Sequence, residues 1–269
     1  MKLEIIEQKT ESANPSVPIL FIHGMWHGAW CWTDHFLPYF AQHGHPSYAL
    51  SLRNHGTSEG KKHIRSVSLS DYVKDVEQAV NGMERMPVMI GHSMGGIVIQ
   101  KYLESHQAPA AVLMASVPPQ GLLGATLRFA LRHPLAFLKI GLTLSVYPVI
   151  ATSNLCREML FSESINQSEL KEYFSRMQDE SLRAFIDMIF FIQPHPKLVK
   201  TPMLVLGAMN DGAITPKEVQ STARKYGTEA ELFPDMAHNM MLEPGWKAVA
   251  DRILGWLNEQ NFVNSNLRS

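Results

Sequence analysis

Four short, continuous apolar segments constrain the fold of this chain more strongly than any other feature. They span residues 17–22, 87–90, 110–115 and 202–206, and a glycine or serine follows each within two residues. Such segments are typical of strands buried on both faces of a parallel sheet. Amphipathic helical patterns lie at residues 68–83 and 246–257. The chain is therefore predicted to form an α/β sheet with right-handed crossovers.

The alternation of strands and helices stops between residues 120 and 200. Helical spacing continues there in two strongly apolar stretches, residues 122–144 and 185–192, but no strand pattern is present. No internal repeat and no linker typical of a second independent domain is found. We expect residues 1–119 and 201–269 to form one core, with residues 120–200 as a helical insertion over one end of the sheet.

Composition and charge exclude several classes of protein. With 45% apolar and 18% charged residues, the 269-residue chain is an ordinary globular one. Lys and Arg number 24 and Asp and Glu 25, so the net charge of -1 provides no attraction to nucleic acid. We expect no nucleic-acid partner, while the oligomeric state stays open.

The cellular location is inferred from the cysteines and the apolar runs. Cys31 and Cys156 lie far apart, and two cysteines build no disulfide framework, which favours a reducing compartment. The longest uncharged run, residues 140–156, is shorter than the ~20 apolar residues that span a bilayer. Residues 1–7 alternate charged and apolar side chains, which indicates an edge strand rather than a signal peptide. We expect a cytoplasmic protein without a transmembrane segment.

A Gly-His-Ser-Met-Gly motif at residues 91–95 matches the pattern G-x-S-x-G. It follows the predicted strand 87–90 directly and precedes a helical continuation at residues 97–103. A nucleophile elbow requires this strand-turn-helix context, because its tight turn leaves no room for Cβ atoms near the serine. We therefore predict that Ser93 is a nucleophile at the carboxyl edge of the sheet.

A serine nucleophile requires a histidine base that is oriented by a carboxylate, and both follow the predicted later strands. Asp211 comes after the segment 202–206, and His238 comes after a short strand pattern at residues 231–233. This chain order of serine, acid and histidine fits such an elbow. Asp235 is an alternative acid, although its Pro-Asp context is typical of a turn.

The loop after the first predicted strand forms the other wall of the predicted site. There the backbone N–H of Met25, together with that of Met94, would form an oxyanion hole. His23 is interpreted as a structural hydrogen-bonding residue. Trp26 and His27 follow in the same loop and are candidates for contact with the substrate.

These motifs together resemble the alpha/beta hydrolase superfamily over essentially the whole chain. Residues 53–58, Arg-Asn-His-Gly-Thr-Ser, are also similar to a family loop of the R-G-H-G-x-S kind, with Asn54 in place of glycine. The resemblance implies an eight-stranded, mostly parallel sheet with an inserted helical cap. It also implies the catalytic triad Ser93, Asp211 and His238.

Two motifs of the chain resemble two different branches of the superfamily. Residues 91–96 resemble monoacylglycerol lipases and lysophospholipases, whereas residues 23–30 resemble plant methylesterases and hydroxynitrile lyases. The lyases carry a lysine immediately after the catalytic histidine, and Asn239 at that position disfavours lyase chemistry. Dehalogenases and epoxide hydrolases of this fold use an aspartate nucleophile, which Ser93 argues against.

We therefore expect a serine hydrolase that cleaves carboxylic esters of a small or lipid-like molecule, with a medium-length or longer apolar acyl group. It would use no cofactor and no metal, because no metal-ligand spacing occurs. Phe137 and Leu144 of the apolar insertion are predicted to line the acyl pocket. Two alternatives stay open: a lactonase with the same triad, for example on acyl-homoserine lactones, and a hydrolase-fold ligand receptor.

Overall fold

The computed structural model describes residues 1–260 and contains one sheet of seven strands. The strands are β1 (Glu4–Gln8), β2 (Ile19–Ile22), β3 (Ser47–Ser51), β4 (Val88–His92), β5 (Ala111–Met114), β6 (Met203–Ala208) and β7 (Ala230–Phe233). Their spatial order is β1-β3-β2-β4-β5-β6-β7, and all neighbours are parallel except β1 and β3. This architecture confirms the α/β class predicted from the apolar segments.

The strand number differs from the eight that the resemblance implied. Residues 9–18 connect β1 to β2 and form no strand. Pro15 and Pro18 lie in this connection, and proline lacks the backbone N–H that a strand ladder requires. The connection therefore adds no strand next to β1.

Helices form most of the remaining regular secondary structure. The described residues form α1 (Phe36–Gln42), α2 (Leu69–Asn81), α3 (Met94–Tyr102), α4 (Leu123–Arg132), α5 (Pro134–Thr143), α6 (Ser153–Leu160), α7 (Gln167–Arg176), α8 (Leu182–Ile186), α9 (Pro216–Lys225) and α10 (Trp246–Glu259). The patterns at residues 68–83 and 246–257 correspond to α2 and α10. Helices α4 to α8 all lie between β5 and β6, and the segment between these two strands, all of it described, contains no strand.

The order of the strands determines where a site can form. Every residue of β2, β4, β5 and β6 is buried, as expected for strands covered on both faces. From β2 the chain first adds β3 on one side and then β4 on the other, so the order reverses between β2 and β4. Ligands of open α/β sheets bind at the carboxyl ends of strands at such a switch point. The loops after β2 and β4 are therefore the expected place for a site.

Helices α4 and α5 bury very little of their apolar surface. Phe129 is the buried residue of α4, and Ile140 is that of α5. Six leucines of these helices are exposed: Leu123, Leu127, Leu131, Leu135, Leu138 and Leu142. The expectation that the apolar residues of the insertion line a pocket therefore holds for only part of them. Within residues 1–260, no helix combines the length and the apolar character needed to cross a bilayer.

Candidate active site

Ser93 occupies a sharp turn between β4 and α3. Its backbone has φ 52° and ψ -116°, which a residue with a Cβ rarely adopts and which is typical of strained functional turns. The turn is fixed by hydrogen bonds from Ser93 N to Met114 O (3.0 Å) and from Gly96 N to Ser93 O (3.0 Å). A Cβ on Gly95 would lie 2.3 Å from the carbonyl oxygen of Ile22, so only glycine fits there. The motif thus forms the predicted elbow.

Asp211 and His238 form a buried pair beside this turn. His238 Nδ1 donates to Asp211 Oδ2 at 2.8 Å, which leaves Nε2 of the imidazole free to accept a proton. The other carboxylate oxygen, Asp211 Oδ1, accepts from the backbone N–H groups of Ala213 and Ile214, both at 2.8 Å. Asp211 is therefore held in one orientation by three donors. Such a carboxylate keeps a histidine base in one tautomer.

Asp235, the alternative acid, lies in a different environment. It is exposed and has a φ of 51°, as expected for the turn predicted from its Pro-Asp context. The hydrogen bond of His238 goes to Asp211, not to Asp235. The geometry therefore favours Asp211 as the partner of the histidine.

His92 supports the backbone of His238. Its Nε2 donates to the carbonyl oxygen of His238 at 2.9 Å, and the ring is fully buried. Burial and the neighbouring rings of His238 and His27 hold the pKa of His92 well below its usual value, so it stays neutral. His92 thus connects the end of β4 to the loop that carries the candidate base.

Ser93 and His238 line one common cavity, but the structure records no hydrogen bond between Ser93 Oγ and the His238 ring. Hydrogen bonds of catalytic groups are often long in a free enzyme and tighten when substrate binds. Within the described residues, the structure therefore shows that the two side chains share one cavity, as a nucleophile and its base would.

The backbone N–H groups of Met25 and Met94 are available for a ligand. Neither donates to a backbone carbonyl within the part of the chain that is described, and no side chain caps the start of α3. Met94 is the first residue of α3, where the helix dipole favours negative charge. Met25 lines the same cavity as Ser93. These two groups therefore stay the candidates for the predicted oxyanion hole.

His27 does not line the cavity, contrary to its predicted contact with the substrate. Its Nδ1 donates to the Met25 carbonyl at 2.6 Å, and its Nε2 accepts from Asn239 Nδ2 at 3.1 Å. Burial, aided by the nearby rings of His238 and His55, lowers the pKa of His27 to about 4. His27 is therefore a neutral residue that orients the loop carrying Met25, because both of its nitrogens are already used. His23 is likewise structural, since it donates to Gly24 O and accepts from Leu52 N.

The cavity at Ser93 has a volume of about 70 Å³. It is lined by residues of the inserted segment 120–200 and by residues of the core. Trp26 lines it from the loop after β2, and Phe137 lines it from α5, as predicted for both residues. Leu144 does not line it. This residue ends α5 in the left-handed conformation, with φ 51°, and is 54% exposed. The geometry of this cavity therefore gives no support to the predicted contact of Leu144 with a substrate.

Several lining residues were not identified from the sequence. They come from α4, α6, α8 and the loop after Asp211, and include Thr126, Met159, Phe185 and Ile214. No local motif marks them, because they meet only when separate helices pack. Only for Ile214 does the sequence indicate a place near the site, because it follows the candidate acid by three residues.

The loop at residues 53–58 joins the sheet to the inserted helices. His55 donates from Nδ1 to Arg53 O (3.0 Å) and from Nε2 to Glu180 (3.1 Å), and Tyr72 also donates to Glu180. Burial alone would lower the pKa of His55, but the adjacent Glu180 carboxylate outweighs it and raises that pKa. The pKa of Glu180 is lowered in turn, because its partners His55 and Tyr72 outweigh burial, so both shifts favour the ion pair. Asn54 has a φ of 64°, which explains why related loops carry glycine at this position.

Within residues 1–260, no group of three or more histidine, cysteine or acidic side chains is arranged to hold a metal ion. The candidate site described above consists of a serine, a histidine, an aspartate and backbone N–H groups.

The sequence model described as the alpha/beta hydrolase family matches residues 19–252 of this chain. The chain belongs to the alpha/beta hydrolase family. The elbow at Ser93 and the switch point between β2 and β4 lie within the matched region.

Individual proteins resemble this alpha/beta hydrolase to different extents. A monoacylglycerol lipase of Mycolicibacterium smegmatis is 22% identical over 261 residues, which cover 92% of this chain and 90% of that protein. A probable esterase of rice, Oryza sativa, is 32% identical over 105 residues, which cover 37% of this chain and only 39% of the rice protein. A solved structure of a putative non-heme bromoperoxidase of Mycobacterium tuberculosis has a TM-score of 0.77 at 18% identity and covers 97% of both chains. This last likeness shows the fold alone.

Proposed function

We propose that this alpha/beta hydrolase cleaves carboxylic esters through Ser93, His238 and Asp211. The observation that carries the proposal is the 2.8 Å hydrogen bond from His238 to Asp211, beside an elbow serine that shares a cavity with His238. The resemblance to a lipase and to a probable esterase supports the choice of esters as the substrate class.

The proposed reaction has two halves, each with a tetrahedral intermediate. Ser93 Oγ attacks the ester carbonyl while His238 Nε2 takes the hydroxyl proton and then returns it to the leaving alcohol. Water, activated by the same histidine, then hydrolyses the acyl-enzyme. The N–H groups of Met25 and Met94 stabilise the oxyanion in both halves. Asp211 stabilises the imidazolium that forms each time.

The substrate class is narrowed by the size of the cavity. Pockets for drug-sized ligands usually measure about 300–1,000 Å³, whereas this cavity measures about 70 Å³. We therefore propose a short acyl group, in place of the medium-length or longer group expected from the sequence. In this proposal residues 120–200 act as a cap, and Phe129, Phe137 and Ile140 form the apolar wall against the acyl group.

A panel of chromogenic esters with acyl chains from two to sixteen carbons, extended with lactones, tests the proposal. We expect turnover by the wild type that is highest for short acyl chains and is abolished in Ser93→Ala. Ser116→Ala is the control, because Ser116 is a buried serine shortly after the next strand, β5, and lies in no elbow. A preference for lactones would favour the lactonase alternative. A single slow acylation without turnover would favour a receptor.

A further inference from the structure

Helices α4 and α5 expose a set of leucines that recur at intervals of three or four residues within each helix. This set, called the leucine surface below, consists of Leu123, Leu127 and Leu131 in α4, and Leu135, Leu138 and Leu142 in α5. Residues at these intervals share one face of a helix. Single exposed leucines are ordinary, but a contiguous apolar patch on a soluble protein usually marks an interaction site. The leucine surface therefore calls for a partner.

The two rows of leucines lie on the outside of the inserted segment, on the opposite side from the cavity at Ser93. Each residue of an α-helix is rotated by about 100° from the one before it. Phe129 lines the cavity from α4, and Leu131, two residues later, points away from it and is 85% exposed. Phe137 lines the cavity from α5, and Leu135, two residues earlier, is 75% exposed. Because α4 and α5 also contact each other, the two rows form one outer surface.

The charges around the leucine surface are of one sign. Residues 105–157 contain no aspartate or glutamate, whereas α4 carries Arg128 and Arg132. The acids that approach these arginines come from other helices: Glu218 of α9 pairs with Arg128, and Glu158 of α6 pairs with Arg132. The helices of the leucine surface themselves therefore present cations only.

A groove with a volume of about 670 Å³ adjoins the leucine surface. Leu135 belongs to both, and Lys139, one helical turn later, also lines the groove. Arg65 and Arg132 contribute two further cations, and no acidic residue lines the groove within the described part of the chain. The apolar surface and the cationic groove thus lie side by side, which is the arrangement that an amphiphile with a negative headgroup requires.

We propose that the leucine surface docks onto an anionic lipid bilayer. The leucines enter the boundary between the headgroups and the acyl chains, while Lys139 and Arg65 attract lipid phosphates. A second copy of the chain fits the surface less well, because a two-fold contact brings the same cations of both copies together. The proposal needs no reaction at Ser93, so it is independent of the proposed ester hydrolysis.

Co-sedimentation of the full chain with lipid vesicles tests the proposal. We expect binding to phosphatidylcholine vesicles that contain about 30% phosphatidylserine, and weaker binding to vesicles of phosphatidylcholine alone. Binding to the anionic vesicles should weaken when the ionic strength rises from about 0.05 M to about 0.5 M. Ser93→Ala should bind like the wild type. Absence of binding to the anionic vesicles would overturn the proposal, and equal binding to both kinds of vesicle would overturn the role of the lipid charge.

Substitutions on the leucine surface test which residues make the contact. The double variant Leu131→Ser, Leu135→Ser should bind the anionic vesicles at least ~10-fold more weakly, because two leucines then leave the lipid phase. Leu198→Ser is the matched control, since Leu198 is also exposed but lies outside α4 and α5. Both positions are exposed, so thermal unfolding should show that the variants stay folded. Unchanged binding in the double variant, or an equal loss in Leu198→Ser, would contradict docking through these helices.

A charge variant and the oligomeric state complete the test. Lys139→Gln should weaken binding to the anionic vesicles by ~5-fold and leave binding to phosphatidylcholine alone unchanged. Lys171→Gln, at an exposed position of α7, should change neither. Sedimentation velocity without vesicles should show the same oligomeric state for the wild type and for the variants of the leucine surface. A dimer that the double leucine variant dissociates, together with absence of vesicle binding, would overturn the proposal in favour of self-association.

Discussion

The sheet and the helices inserted between β5 and β6 use apolar residues in opposite ways. Strands β2, β4, β5 and β6 bury every side chain, whereas α4 and α5 bury one residue each and expose six leucines. Dense packing makes the sheet a rigid support for the elbow, the acid and the base. The inserted helices have fewer buried contacts, and such regions open at lower free energy. In the proposed function, the reacting groups therefore belong to the densely packed region and part of the cavity wall belongs to the less densely packed one.

A few buried polar contacts hold the two regions together. Glu180 of the inserted segment pairs with His55 of the core, and Ser162 donates to Glu243 from backbone and side chain. These contacts are more costly to disrupt than exposed ion pairs, because a charge left alone in the interior keeps its desolvation cost. Single substitutions at these contacts are therefore expected to lower the free energy of unfolding. Substitutions on the exposed faces of the inserted helices are expected to change it little.

The largest effect is expected at the reacting groups of the core. Ser93→Ala and His238→Ala should each lower kcat by ~10³-fold or more, because nucleophile and base act as one unit. Steady-state kinetics on a short-chain ester measure this, and the double variant should lose little more than either single one. Additive losses in the double variant would show that the two residues do not act together.

The second-largest effect is expected at the buried contact between the core and the inserted segment, where Glu180 pairs with His55. Glu180→Gln should lower the free energy of unfolding by about 3 kcal/mol, since it leaves the buried His55 without its partner charge. Urea unfolding at pH 6 measures the change. Glu172→Gln, an exposed position on α7, is the control and should stay within ~0.5 kcal/mol of the wild type. Similar values for both variants would contradict the buried ion pair.

The same pair also predicts a pH dependence. The pKa of His55 is raised in the folded protein, so its stabilisation is complete below the unfolded pKa of ~6.5 and is lost as the pH rises through the folded pKa. The pKa of Glu180 is lowered, because the His55 and Tyr72 partners outweigh burial, so its stabilisation is lost only in acid. Between pH 6 and 9, the free energy of unfolding of the wild type should decline as the pH rises. The decline should be smaller in Glu180→Gln. Parallel profiles would contradict an ionised pair.

Apolar truncations compare the two regions directly. Leu113→Ala, in β5 with no exposed surface, should cost about 2–5 kcal/mol of unfolding free energy. Leu131→Ala, in α4 and 85% exposed, should change it by less than ~0.5 kcal/mol. Thermal or urea unfolding measures both. A large loss at Leu131 would show that the exposed face of α4 is covered in solution.

A smaller effect on substrate choice is expected in the inserted helices. Phe137→Ser should lower kcat/KM for a butanoate ester by ~10-fold and for an acetate ester much less, because Phe137 lines the cavity. Leu142→Ser on the same helix is the control, since Leu142 is 75% exposed. Equal effects of the two variants would mean that the cavity wall does not contact the acyl group.

The core was predictable because local rules determine it. A continuous apolar run, a glycine-flanked serine and an acid directly after a strand each place a residue with little dependence on distant packing. Strand β3 escaped prediction because its first and last residues, Ser47 and Ser51, are buried serines, which leave only a short apolar run between them. Ser51 is satisfied there by the backbone N–H of Ala29 and by Glu4.

The inserted helices were less predictable for the opposite reason. Nearly every residue of α5 is apolar, so periodicity does not reveal that Phe137 and Ile140 face the cavity while Leu138 faces solvent. The left-handed end of the helix then turns Leu144 away. For His27 the residue type suggested chemistry, but hydrogen bonds to Met25 and Asn239 occupy both of its nitrogens.

The central claim is that the sheet presents Asp211, and not Asp235, to the candidate base. The most direct measurement compares kcat/KM of Asp211→Asn and Asp235→Asn on one short-chain ester, with unfolding curves to confirm that both variants are folded. We expect Asp211→Asn to lose ~10³-fold or more, because an amide cannot hold His238 in the productive tautomer, and Asp235→Asn to stay within a few-fold of the wild type. Near-wild-type activity in Asp211→Asn, with a large loss in Asp235→Asn, would contradict the account.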